Sequence, residues 1–130
     1  MAKERTSAFL WRHNSVREVL NDRGLSSLGD SYINFVFSLA LSNRKGQPEG
    51  TKVKGSFLAE ALRRAGLRQY LSSSLSRHAL ADAAEALFVY AWLSGSLSID
   101  DCVSTLAKSD DPIEGLTRLL VTTKNKLTFP

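Results

Sequence analysis

The stretch ALADAAEALFVYAWLSG, residues 79–95, predicts a helix that is buried on all sides. Its apolar residues surround the helix axis instead of forming one stripe, and Gly95 supplies an end signal. A helix of this kind must lie at the centre of a bundle. Two carboxylates interrupt it, Asp82 and Glu85, and their spacing of three residues places them on one face, with Cβ atoms roughly 5–6 Å apart.

A second stretch, LSSLGDSYINFVFSLAL at residues 25–41, has the same character and carries one carboxylate, Asp30. It predicts a helix over residues 26–42 with no wide polar face. The residues that we expect it to bury are Leu28, Tyr32, Ile33, Phe35, Val36, Phe37, Leu39 and Leu41. Gly29 and the alanines of the 79–95 stretch would allow the two helices to approach closely. The sequence therefore predicts two central, buried helices side by side.

The rest of the chain also has helical periodicity, and no segment alternates with a period of two. We expect helices over residues 8–20, 51–65 and 78–94, and a short helical turn with a Ser-rich connection over residues 67–78. Two further helices have start signals at Ser98, which is followed by Asp101, and at Asp111-Pro112. A loop rich in Gly, Pro and cations covers residues 43–55. The fold is predicted to be all-α.

Length and composition limit the classes of protein to which the chain can belong. With 130 residues we expect one domain over residues 1–130 with a single core. The net charge of +4 mildly favours polyanionic partners. A single cysteine, Cys102, excludes an intramolecular disulfide and fits a reducing compartment. Residues 1–14 contain no long apolar run of the kind that a signal peptide needs, and no apolar run reaches the roughly 20 residues of a membrane span. We therefore expect a cytoplasmic protein without a membrane partner.

The three interior acids allow two interpretations. Each could pair with one of the 17 Lys and Arg residues or with a helix end. Alternatively, Asp30, Asp82 and Glu85 converge on a divalent cation, because close carboxylates in a partly buried site need a neutralising charge. Oxygen ligands of this kind suit Mg²⁺ or Mn²⁺.

Three segments in order carry a resemblance to a known family. LGD at residues 28–30 opens an apolar helix, SFLAEALRRAGLRQYL follows at residues 56–71, and LADAAEALFVYAWLSG occupies residues 80–95. Together they resemble the ribonuclease III endonuclease domain, whose two acidic signatures have the same order and spacing. The resemblance extends over residues 25–95.

This resemblance implies a helical bundle that acts as a metal-dependent endonuclease on double-stranded RNA. It implies a homodimer in which each subunit cuts one strand, and it involves no nucleotide cofactor. Asp30 and Glu85 would be direct ligands of Mg²⁺ or Mn²⁺, and Asp82 would support them or orient a bound water. The chain is similar to the compact forms of the family, Mini-ribonuclease III or small archaeal ribonuclease III-like proteins, so we expect no separate RNA-binding domain.

The chain also departs from the family pattern. Ser26 stands where the family usually has a Glu, and Arg23 stands where another acid is common. Ser27 replaces a bulky residue that contacts the partner subunit in many relatives, and Lys54-Gly55 replaces a Ser-Asn pair. Two alternatives therefore remain open: a non-catalytic, RNA-binding or ribosome-associated scaffold of the same fold, and a helical interaction module whose acids form ion pairs.

Duplex RNA is bound mainly through its phosphates and 2′-hydroxyls, which requires suitably spaced cations. Each cationic cluster in this sequence could equally be an ordinary solvated surface. The residues that we predict to contact RNA are Arg44, Lys45, Lys52, Lys54 and Arg77.

Overall fold

The computed structural model describes residues 13–129, which form six α-helices and no strand. The helices are α1 (Val16–Leu20), α2 (Arg23–Lys45), α3 (Gly55–Arg64), α4 (Arg77–Leu93), α5 (Ile99–Ala107) and α6 (Pro112–Lys126), with a short 3₁₀ turn at Arg68–Tyr70. The all-α prediction is confirmed.

Helices α2 and α4 form the centre of the molecule and share its most extensive interface. Their backbones touch at Gly29, where a Cβ atom would lie only 2.0 Å from the carbonyl oxygen of Glu85. No side chain fits at this position. The residue after Gly29 is Asp30, so the closest approach of the two helices also brings the acids of α2 and α4 together.

The other helices pack around this pair. Helix α3 lies against α4 and α6, α5 lies against α2 and α6, and α1 lies against α4. Every residue of α4 from Ala83 to Ala91 is buried, as the all-round apolar pattern predicted. Cys102 is buried as well, and its sulfur accepts a hydrogen bond from the Tyr32 hydroxyl at 3.4 Å.

The predicted start signals of the last two helices are present. Ser98 and Asp101 form a reciprocal capping box at the start of α5. Asp111 caps α6 by accepting a hydrogen bond from the Ile113 amide, and Pro112 occupies the first turn. Both carboxylates therefore stabilise helix ends by satisfying amides that have no partner within the helix.

The predicted bounds of three helices were wrong. Helix α2 is longer than residues 26–42, because Asp22 caps its start and Gly46, with φ of 74°, ends it. Helix α3 begins at Gly55 instead of residue 51, since the preceding residues make hydrogen bonds to α2 side chains. Within the described chain, the first helix begins only at Val16 with Ser15 as its cap, and residues 8–12 of the predicted helix lie outside the described part.

The predicted burial along α2 was also partly wrong. Tyr32, Ile33 and Val36 are buried, but Leu28 is 39% exposed and Phe35 is 56% exposed. Phe37, Leu39 and Leu41 are intermediate. One face of α2 is therefore apolar and open to solvent, because no other described helix covers it. No helix within residues 13–129 has the length and hydropathy needed to cross a membrane.

Candidate functional site

A cavity of about 580 Å³ lies where α2 and α4 meet, beside the first residues of α3. Asp30 comes from α2, and Asp82 and Glu85 come from α4; all three line this cavity. The two central helices therefore bring the three predicted acids to a single cavity. The remaining lining residues include Arg23, Ser26 and His78.

Glu85 is the buried member of the acidic group, with 8% of its surface exposed. Burial is the largest of the causes that together raise the pKa of this carboxyl to about 8; the others are a hydrogen bond to Asp30 and the charges of Asp30 and Asp82. The charge of Lys52 opposes the shift. At neutral pH Glu85 therefore holds a proton and shares a hydrogen bond with Asp30.

Asp82 lies one turn before Glu85 on α4 and is exposed. Its negative charge raises the pKa of Glu85. Within residues 13–129, however, no three His, Cys, Asp or Glu side chains are gathered into a ready-made set of metal ligands. The structure thus joins Asp30 and Glu85 directly and places Asp82 beside them.

Asn34 is a further residue of this site, and it was not predicted. Its side-chain amide donates hydrogen bonds to the Asp30 carbonyl at 2.8 Å and to Asp30 Oδ1 at 3.0 Å. Its Oδ1 accepts a hydrogen bond from the Val53 amide at 2.7 Å. The spacing of four residues from Asp30 was a usable signal in the sequence, because such residues are neighbours on a helix. The contact with Val53 has no such signal.

Ser26, which stands at the position of the family Glu, is used differently. Its hydroxyl donates a hydrogen bond to the backbone carbonyl of Asp82 at 2.8 Å. This bond ties α2 to α4 at the cavity wall. Ser26 consequently contributes a contact between helices and no negative charge.

The predicted RNA-binding cations fall into two groups. Lys52 acts electrostatically on Glu85, and Lys54 and Arg77 directly precede or begin the helices beside the cavity. Arg44 and Lys45 lie near the other end of α2, about 21 Å along the helix axis from Asp30.

The distant pair already has protein partners. Arg44 donates hydrogen bonds to the carbonyls of Ala107 and Ser109 and forms an ion pair with Asp110, while Lys45 pairs with Glu49. Arg44 therefore ties α2 to the α5–α6 connection. A role of Arg44 and Lys45 in RNA binding stays a prediction.

The acids fit a divalent cation by their chemistry. Within the described chain, none of Asp30, Asp82 and Glu85 has a Lys, Arg or His nitrogen within 4.0 Å, which speaks against the ion-pair interpretation. Instead, the proton on Glu85 lowers the total negative charge of the three acids. Replacement of that proton by a cation would satisfy all the carboxylates, and oxygen ligands suit Mg²⁺ or Mn²⁺.

Two comparisons with known proteins bear on this site. A family model described as Ribonuclease III matches residues 23–126, which covers most of the chain and includes all three acids. No curated protein matches the chain.

Proposed function

The chain belongs to the ribonuclease III family, and on this basis we propose that it is a metal-dependent endoribonuclease that cleaves double-stranded RNA. Family membership supports a ribonuclease-type function and RNA as the substrate. The observation that carries the finer proposal is the direct contact of two carboxyls, Asp30 and Glu85, in a cavity where neither forms an ion pair.

In this proposal Asp30 and Glu85 bind Mg²⁺ or Mn²⁺, and Asp82 supports them. When bound, such an ion stabilises the charge that develops on phosphate oxygens and activates water for attack. Glu85 must lose its proton before it can act as a ligand, so cation binding releases a proton and strengthens as the pH rises toward 8. Lys52 assists this step, because its charge favours the ionised form of Glu85.

The acidic cavity alone would repel RNA, so phosphate contacts must come from its surroundings. Lys52, Lys54 and Arg77 are exposed and are sequence neighbours of residues that line the cavity, and we propose them as phosphate contacts. Lys54 also packs its ammonium over the Phe57 ring at 5.5 Å, which restrains its position.

We further propose that the protein acts as a homodimer through the exposed apolar face of α2. Leu28 and Phe35 are the large apolar side chains that the described structure leaves exposed, and their spacing of seven residues puts them on one face of the helix. Two copies joined there would provide two acidic cavities, one for each strand of a duplex.

A cleavage assay with charge-neutral variants tests the proposed activity. We expect wild-type protein with Mg²⁺ or Mn²⁺ to cut duplex RNAs and to spare the matching single strands. Asp30→Asn and Glu85→Gln each remove a proposed ligand and should lower kcat by more than about 100-fold, beyond the range of residues that only support ligands.

The matched control for this assay is Asp100→Asn, which removes an exposed carboxylate on α5 without touching the cavity. It should cleave at the wild-type rate. Full activity of the Asp30 and Glu85 variants, or the absence of duplex cleavage by the wild type across varied lengths and both metals, would contradict the proposal.

One observation favours a second candidate, a non-catalytic RNA-binding scaffold of the same fold. The Ser26 hydroxyl is committed to the Asp82 carbonyl, so the site has fewer negative charges than the family pattern provides. Duplex binding that weakens steeply with salt, unaccompanied by metal-stimulated cleavage, would select this candidate over the nuclease.

A further inference from the structure

Helix α2 holds the segment before α3 through a series of side-chain hydrogen bonds, which we call the polar ladder. The residues that α2 contributes to the ladder are one turn apart, and their partners are every second residue of the segment. The three rungs join Asn34 to Val53, Ser38 to Thr51, and Ser42 to Glu49.

The two serine rungs are reciprocal. The Ser38 hydroxyl donates to the Thr51 carbonyl at 3.0 Å and accepts from the Thr51 amide at 2.9 Å. The Ser42 hydroxyl donates to the Glu49 carbonyl at 3.0 Å and accepts from the Glu49 amide at 2.9 Å. Each serine thus forms hydrogen bonds with both the amide and the carbonyl of one residue in the segment. Because this segment is not helical, these backbone groups have no partner within a helix.

The geometry of the ladder explains why it can repeat. Four residues of helix rise about 6 Å, and two residues of extended chain span about 6.6 Å, so the two series stay in register. Alternate residues of the segment face α2, whereas Gly50, Lys52 and Lys54 between them are exposed. The ladder therefore fixes Lys52 on the outer side of a segment whose inner side is bound to the helix.

The Asn34 rung differs from the serine rungs, because this side chain also reaches the acidic site. It accepts from the Val53 amide and donates to Asp30 Oδ1, so one planar amide connects the lysine-bearing segment to a carboxylate of the cavity. An amide is neutral, and it can orient Asp30 without cancelling the negative charge. A Lys or Arg in its place would compete with a cation for that charge.

We propose that Asn34 is a positioning residue of the acidic site. It holds the Asp30 carboxylate against Glu85 and fixes the segment that carries Lys52, whose charge acts on Glu85. Its catalytic meaning depends on the proposed nuclease function, but the orientation of Asp30 is a property of the protein alone.

Measurements on the metal-free protein test the positioning directly. In wild-type protein we expect the Val53 amide to resist hydrogen exchange and the Asp30 side chain to keep one χ1 rotamer by NMR coupling constants. Asn34→Ala should lose both properties. Asn34→Asp keeps an acceptor for the Val53 amide and loses the donor, so Val53 should stay protected while the Asp30 rotamer averages.

Ser42→Ala is the matched control, since it removes a rung of the same ladder far from the acids. It should expose the Glu49 amide to exchange and leave Asp30 in one rotamer. A single Asp30 rotamer in both Asn34 variants would overturn the proposal. If Asn34→Ala is too unstable to study, Asn34→Asp decides alone, because it retains the tether to Val53.

Thermal shifts with Mn²⁺ then separate this inference from the proposed function. Asn34→Ala should raise the Mn²⁺ concentration for half-maximal stabilisation by about 10- to 100-fold, as is typical when the support of a ligand is lost. Ser42→Ala should stay within about twofold of the wild type. Equal shifts in the two variants would overturn the proposal. A wild-type protein that Mn²⁺ does not stabilise would contradict the proposed nuclease function. Averaging of the Asp30 rotamer in Asn34→Ala would still support the positioning role of Asn34.

Discussion

At the scale of single residues, the carboxyl of Glu85 makes the stability of the fold depend on pH. Its pKa is about 8 in the folded protein and about 4.5 in an unfolded chain. Between these values the folded state holds a proton that the unfolded state has released, so the folded state loses stability as the pH rises through this window. Ionised Glu85 is buried beside two other acids, and that arrangement is costly unless a cation is present.

We therefore predict that the metal-free protein becomes less stable from pH 5 to pH 8.5, by on the order of 3 kcal/mol from this residue. Glu85→Gln cannot ionise and should lack this contribution, so the variant should be the more stable protein at pH 8.5. Urea unfolding in the presence of a chelator measures the difference. Glu114→Gln, which changes an exposed acid on α6, should parallel the wild type; parallel profiles for Glu85→Gln would refute the prediction.

The residues of the site differed in how far the sequence could predict them. Asp30, Asp82 and Glu85 could be predicted because carboxylates in apolar helices are conspicuous. Their spacing also gives the face on which each lies. The role of Asn34 could not be predicted, because it depends on Val53, which is distant in the sequence and is brought near by packing. Ser26 could be identified as a departure, but its bond to the Asp82 carbonyl needed the paired helices.

At the scale of helices, the contact between α2 and α4 controls the site. Gly29 allows this contact, because a Cβ atom there would lie 2.0 Å from the Glu85 carbonyl oxygen and 2.4 Å from its carbonyl carbon. These are backbone atoms of a buried helix, so they cannot yield as the end of a flexible side chain can.

We predict that Gly29→Ala forces the two helices apart and lowers the free energy of unfolding by about 3 kcal/mol or more, at the upper end of overpacking effects. Gly24→Ala is the control within the same helix, since its Cβ would meet only Asp22 Oδ1 at 3.4 Å. It should be neutral or stabilising by up to about 1 kcal/mol, because alanine favours helix more than glycine does. Chemical denaturation of both variants checks this, and equal stabilities would refute the role of Gly29.

The starts of α5 and α6 depend on local signals and were predicted well. The caps of α2 at Asp22 and Gly46 are also local but were not used in the prediction, and the start of α3 depends on another helix. The capping box of α5 and the Asp111-Pro112 start of α6 act within one turn, so the sequence contains them completely. The start of α3 was predicted four residues early because Val53 continues the apolar periodicity of that helix. The backbone around Val53 bonds instead to the polar ladder, which only the tertiary structure reveals.

At the scale of the whole molecule, the open face of α2 is the clearest feature without a partner in the described structure. The apolar pattern predicted Leu28 and Phe35 to be buried, and within one copy of the chain they are not. Periodicity identifies a side chain that avoids water, but it does not distinguish a core from an interface between subunits. The proposed homodimer would reconcile the pattern with the observed exposure.

We predict that Phe35→Glu converts a dimer into a folded monomer. Burial of one large apolar side chain contributes about 1.5–3 kcal/mol, and a charge in its place adds a desolvation cost in each subunit. The dissociation constant should thus rise by more than about 100-fold, measured by sedimentation equilibrium. Because Phe35 is exposed in the single chain, the thermal stability of the monomer should remain close to that of the Gln69→Glu control, which adds the same charge on the exposed 3₁₀ turn. With one cavity per molecule, the monomer should nick a duplex where the dimer cuts both strands. A wild-type protein that is monomeric at micromolar concentration would refute the proposed dimer interface. A Phe35→Glu protein that stays dimeric would refute it as well.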